Sequence, residues 1–159
     1  MAFSAVFAAA VAIATMLISI PVGPGYLNFG EIVIYTAAFL FGSIVGGLAG
    51  GIGAAAADLI LGFAVWSPIT LVGKGLEGFI VGKVSGESLK SKLLAVLLGA
   101  PVMIAGYVFA TWYLYGYPAA IFQELPIDIL QAGLGAAVAI PLAHVLEAFI
   151  PQLQHDRDR

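Results

Sequence analysis

Cysteine is missing from all 159 residues, which excludes disulfides, thiolate metal centres and cysteine nucleophiles. Charge is scarce as well: 9% of residues are Asp, Glu, Lys or Arg, against roughly 25% in soluble domains. The two histidines, His144 and His155, form no ligand cluster, so no metal site is expected. No Lys or Arg precedes Lys74; the basic start of a cleavable signal peptide is lacking, and residues 2–20 are expected to persist as a helix. A net charge of −3 gives no basic face for nucleic acid. The run GGLAGGIG is embedded in apolar sequence rather than placed after a strand, so it is no phosphate loop. No nucleophile and base pattern occurs, and no catalytic residue is assigned.

What fills the chain is apolar: 62% of residues are hydrophobic and the mean hydropathy is +1.07. This is the composition of an integral membrane protein. At about 20 residues per span the length holds six helices and leaves no room for a soluble domain. Apolar runs broken by Gly, Pro and polar clusters place the spans at about 2–20, 31–48, 49–64, 69–84, 92–115 and 126–149, ahead of a polar tail at 150–159. Runs such as Leu93 to Ala110 are too long for the alternating strands of a β-barrel. The expected fold is an all-α bundle of six transmembrane helices in one domain. Lys83, Lys90 and Lys92 flank the connection between the fourth and fifth spans, and Arg157 and Arg159 follow the sixth. The positive-inside rule then puts both termini and the tail in the cytoplasm, with Glu31, Glu124 and Asp128 near the opposite face.

The polar exceptions within this apolar sequence point to a pocket. Glu31, Asp58, Lys74 and Glu77 lie in lipid-like segments, where an ionised side chain costs at least about 2.5 to 3.5 kcal/mol unless a partner, water or a ligand meets it. Lys74 stands about 8 Å inside the fourth span at 1.5 Å per residue. It either snorkels to the outer headgroups or forms a buried ion pair with Asp58, which descends a similar depth, while Thr70 and Glu77 share its face. Gly73, Gly75, Gly78 and Gly82 should leave that span kinked, because each interior Gly costs about 0.8 to 1 kcal/mol relative to Ala.

The segment Pro21 to Glu31 resists helix and reads either as a plain outer turn or as a loop whose Tyr26, Asn28 and Phe29 close over a flat molecule. Gln131, costly against lipid, should point inward. Trp112, Tyr115 and Tyr117 read as interfacial anchors. The expected pocket residues are Asn28, Trp66, Thr70, Lys74, Glu77, Tyr107 and Gln131. Small residues four apart, including Gly42, Gly46 and Gly50, mark packing stripes, and the alanines of the first helix occupy more than one face, as a partner surface would.

The series NFGEIVIYTAAFLFGSIVGGLAGGIGAAAADLILGFAVWSPITLVGKGLEG, Asn28 to Gly78, resembles the substrate-binding S components of energy-coupling factor (ECF) vitamin transporters, closest to the riboflavin-transporter-like branch. The P-x-T-x-x-x-K-G-x-E-G of Pro68 to Gly78, the Ala57-Asp58 pair and the small-residue first helix carry the likeness; the last two spans match in hydropathy and length. The resemblance implies a non-enzymatic subunit without cofactors that captures a vitamin or precursor, such as riboflavin, a thiamine pyrimidine or a related flat heterocycle. It implies a membrane T subunit and two ATPases as partners, with Ala5 and Ala9 as an Ala-x-x-x-Ala docking motif. The substrate would lie beneath the loop between the first two helices. Read without the resemblance, Asp58, Lys74 and Glu77 also suit a self-sufficient ion-coupled transporter or small channel.

Overall fold

The computed structural model describes residues 2–149, and the expected tail at 150–159 lies outside them. Helix α1, Ala2–Leu17, leads into two short antiparallel strands, β1 (Ser19–Val22) and β2 (Gly25–Asn28), paired Val22 to Gly25 across a two-residue turn. Gly23 takes a φ of +57°, which glycine tolerates, and Pro24 contributes the fixed negative φ that such a turn needs next. The segment expected as an irregular loop is therefore largely a β-hairpin. Ile20, Val22 and Tyr26 are good strand formers, and pairing satisfies backbone groups that lipid could not.

Helix α2 runs from Gly30 to Leu61 but is interrupted at Gly42, whose φ of +80° and ψ of −169° are far from helical. The chain reverses there. A Cβ placed on Gly46 would lie 2.6 Å from Ala38 Cβ, and one on Gly50 would lie 3.2 Å from Ile34 Cγ2; both pairs are symmetric about residue 42. In a straight helix, residues eight apart would be separated by about 12 Å. The limbs 30–41 and 43–61 thus form an antiparallel helical hairpin. The sequence reading put the boundary at 48/49, within the glycine-rich run; the reversal needs one glycine with positive φ, and the remaining glycines serve packing.

That packing is against α3, Ser67–Val84. A Cβ on Gly46 would come within 2.7 Å of Gly78 O, one on Gly50 within 2.6 Å of Lys74 O, and one on Gly51 within 2.7 Å of Leu71 O. The two backbones are in direct contact, the arrangement that small residues permit where lipid supplies no hydrophobic drive. Helix α3 is consequently regular, not kinked as expected. Gly75 and Gly78 face the second limb of α2 and Gly82 faces the reversal, while Gly73 faces α4, and contact along that seam offsets their poor helix propensity.

Helix α4, Leu89–Tyr115, ends at Gly116; the short α5 (Tyr117–Ala119) and a π-helical turn (Ala120–Glu124) then lead directly into α6, Leu125–Phe149. Helix α4 and the continuous stretch Tyr117–Phe149 are each long and apolar enough to cross a membrane, and α2 is as apolar and as long in sum but doubles back at Gly42. Leu17, Ile60, Leu97, Phe109 and Phe122 are exposed on the outside, an exterior suited to lipid. The protein is an α-helical membrane protein with one small β-hairpin.

Its two ends differ. At one end Phe3 stacks on Phe41 with ring centroids 4.7 Å apart, Gly82 abuts Gly42, and Lys92 bonds Glu147 at 2.8 Å, so the first residues of α1, the reversal at Gly42 and the last turns of α3 and α6 lie together with Lys83 and Lys90. At the other end the β-hairpin meets Trp66, just before α3, and the π-helical turn, and the end of α4 stacks Tyr115 on Trp66. The close seam predicts that Gly46→Ala lowers the thermal unfolding midpoint in detergent by the equivalent of about 1 to 3 kcal/mol through overpacking. Gly106→Ala, with nothing within 4 Å of the new methyl, should leave the midpoint unchanged or raise it.

Candidate functional site

Beneath the β-hairpin lies a small, partly open cavity of about 40 Å³, room for a few waters at roughly 10 to 15 Å³ each. Lys74 of α3 is buried beside it, 3% exposed. The ammonium is paired with Glu31 in the first turn of α2, and Glu77 Oε2 lies 4.0 Å away. The ring of Tyr107 stands beside it, centroid 5.5 Å from Nζ, a cation–π contact. Glu77 is secured from the opposite direction, where the Tyr35 hydroxyl donates to Oε1 at 2.6 Å. Two carboxylates from two helices therefore hold one ammonium at a depth where it could not stand alone.

The hairpin is attached through the groups that line the cavity. Tyr26 donates to Asp58 Oδ1 at 2.5 Å, the backbone N–H of Asn28 donates to Gln131 Oε1 at 2.9 Å, and Trp66 Nε1 donates to Pro24 O at 3.0 Å. Burial, then the hydrogen bond to Asp58 and that residue's charge, push the Tyr26 hydroxyl well above the usual phenol range, so it remains a donor. Asn28 also accepts from Gly30 N–H at 2.9 Å, fixing the entry into α2. On the far wall the Tyr107 hydroxyl donates to Thr70 Oγ1 at 2.6 Å, and Trp66 packs between Tyr107 and Tyr115.

The cavity brings together six of the seven expected pocket residues, Asn28, Trp66, Thr70, Lys74, Tyr107 and Gln131. Glu77 is set one turn deeper along α3 and reaches the site through Lys74. The expected Asp58–Lys74 ion pair is replaced: Lys74 pairs with Glu31 and Glu77, and Asp58 receives Tyr26. The hairpin brings a phenol to Asp58, and the reversal at Gly42 brings the first turn of α2 to Lys74, neither of which linear depth along a helix reveals. Sequence reasoning also missed Thr15, Glu124 and Asp128 as lining residues. For the last two a signal existed, since residues four apart share one face of a helix.

Comparison with known proteins now decides the family. A family model described as ECF-type riboflavin transporter, S component, matches residues 1–148. The chain belongs to that family. A protein of Lactococcus lactis subsp. cremoris named as the thiamine precursor transporter HmpT is 32% identical over 121 residues, covering 76% of this chain and 69% of its own. A Pyrococcus woesei protein described only as an uncharacterized protein in a gap 3′ region is 46% identical over 142 residues, covering 87% of this chain and 95% of its own. As an S component the protein is a vitamin-capture subunit for membrane transport and not an enzyme.

The S component's buried ammonium gives a direct test. Breaking a buried pair costs about 3 to 5 kcal/mol, so Lys74→Met should lower the unfolding midpoint sharply, and adding Glu31→Gln should recover part of the loss. In double-mutant cycles the Lys74–Glu31 coupling, on the order of 1 to 3 kcal/mol, should exceed that of Lys74–Asp58.

Proposed function

We propose that this S component captures a vitamin or vitamin precursor, a flat heterocycle, in the cavity under the β-hairpin and delivers it with a membrane T subunit and two ATPase subunits. The observation that carries the reading is the convergence of costly polar groups and aromatic faces on one site at the end away from Lys83, Lys90 and Lys92. Under the positive-inside rule those lysines mark the cytoplasmic side of the cell membrane. The six helical segments, with α2 counted as two, then form the bundle in the bilayer with both termini inside, and the cavity faces outward.

In this reading Trp66 and Tyr107 offer ring faces, Asn28, Thr70 and Gln131 offer hydrogen bonds, and Lys74 offers its ammonium to the ligand, with Glu77 holding Lys74 in place. Small-molecule sites enclose about 300 to 1,000 Å³, far more than this cavity, so a ligand of that size needs the β-hairpin to swing away. Ala5 and Ala9 are exposed on one face of α1 and suit close helix–helix docking by the T subunit.

The rival is ion-coupled transport through the buried Asp58, Lys74 and Glu77, and liposomes separate the two. The purified protein alone should bind its vitamin but show no concentrative uptake under a proton or sodium gradient. Uptake should appear only with T subunit, ATPases and ATP, and Ala9→Trp should abolish it while leaving binding intact. Gradient-driven accumulation by the isolated protein would replace this reading with the rival.

A further inference from the structure

The cavity is unbalanced in charge. Lys74 is the one lysine among the described residues that lines it, and its ammonium is already met by Glu31 and Glu77. Three more carboxyl groups, those of Asp58, Glu124 and Asp128, line the cavity walls without a cation of their own. Asp58 at least receives the Tyr26 hydroxyl. Asp128, 4% exposed in the first turn of α6, has Oδ2 buried with no hydrogen-bond partner. Glu124 precedes it by one helical turn and turns its carboxylate to the hairpin, where a Cβ on Gly25 would lie 3.8 Å from Oε2. A buried, unpartnered carboxylate is among the costliest groups a fold can keep, and removing it from water makes sense where something positive or donor-rich arrives.

A carboxylate accepts and does not donate. A neutral ring whose edge carries carbonyl oxygens would set acceptors against acceptors along the Glu124 and Asp128 wall. A ring carrying a positive charge would meet charge with charge there, with cation–π attraction from the Trp66 and Tyr107 faces, and a ring carrying an amino group would donate hydrogen bonds to the carboxylates. We infer that the site selects a flat heterocycle bearing a cationic or amino group directed at Asp128 and Glu124, over a neutral carbonyl-rich one. This rests on the cavity being the capture site proposed above.

Three probes test it on the full chain in detergent, read by tryptophan fluorescence and calorimetry: thiamine as a permanent cation, 4-amino-5-hydroxymethyl-2-methylpyrimidine as an amino heterocycle, and riboflavin as the neutral, carbonyl-bearing ring. The expected result is tighter binding of at least one of the first two than of riboflavin. Asp128→Asn and, separately, Glu124→Gln should weaken that probe at least about tenfold, and more than they weaken riboflavin. Asp128→Asn removes an unpartnered charge and should not lower the unfolding midpoint, which shows that a lost affinity is not lost folding. Riboflavin binding tightest, or equal losses for all probes, overturns the charge assignment and leaves the capture reading standing. Binding of none of the three overturns both.

Discussion

Burying an ammonium between helices in lipid requires negative charge beside it, and in this protein that requirement fixes the arrangement of three segments. Lys74 comes from α3, Glu77 from the next turn of the same helix, and Glu31 from the first turn of α2, which can reach it only because the chain doubles back at Gly42. The backbone seam of Gly46, Gly50 and Gly51 against α3 sets the distance. Larger residues along that seam would push α3 outward and take Lys74 away from Glu31. Electrostatics and packing are thus one constraint seen twice: the glycines permit the approach and the ion pair needs it. Tyr107 and Tyr35 complete the surround, one over the ammonium and one on the carboxylate that holds it.

Composition and hydropathy reveal the helical class because lipid leaves few alternatives: a polypeptide this apolar with so few charges must satisfy its backbone within helices. The hairpin at Ser19–Asn28 and the reversal at Gly42 were not legible. Both hinge on the sign of φ at a single glycine, and a sequence with 20 glycines does not say which of them turns the chain and which pack. The regularity of α3 was misjudged for the same reason. Propensity describes an isolated helix, whereas these glycines are compensated by a neighbour whose presence only the tertiary fold supplies.

The candidate site was more legible than the turns that build it. Polar side chains in an apolar chain stand out singly, and the cost of leaving Gln131, Thr70 or Lys74 against lipid predicts that they turn inward and so meet. Partner choice was not legible. Asp58 and Lys74 descend to similar depth on neighbouring helices, yet the ion pair forms with Glu31, because the reversal brings the first turn of α2 to the ammonium while an oxygen of Asp58 is occupied by Tyr26. Glu124 and Asp128 are legible as charge near the outer face, but not as lining residues, which depends on how the π-helical turn and the start of α6 set them beside the cavity.

The hairpin's attachments carry a consequence for capture. Asp58 holds Tyr26, Gln131 holds Asn28 and Trp66 holds Pro24, and each of these three anchors also lines the cavity. In the proposed reading a ligand that bonds to Asp58 or Gln131 competes with the hairpin for the same lone pairs, so occupation and closure are coupled through shared acceptors. A neutral hydrogen bond contributes only about 0.5 to 1.5 kcal/mol net and one to a charged group about 1.5 to 3, small enough for individual anchors to yield while the hairpin remains attached by the others. The phenol of Tyr26, kept protonated by burial and by Asp58, can re-form its bond whenever the carboxylate becomes free. A ligand bringing its own donors would satisfy the acceptors that the moving hairpin leaves behind, and Asp58 need never stand bare during exchange.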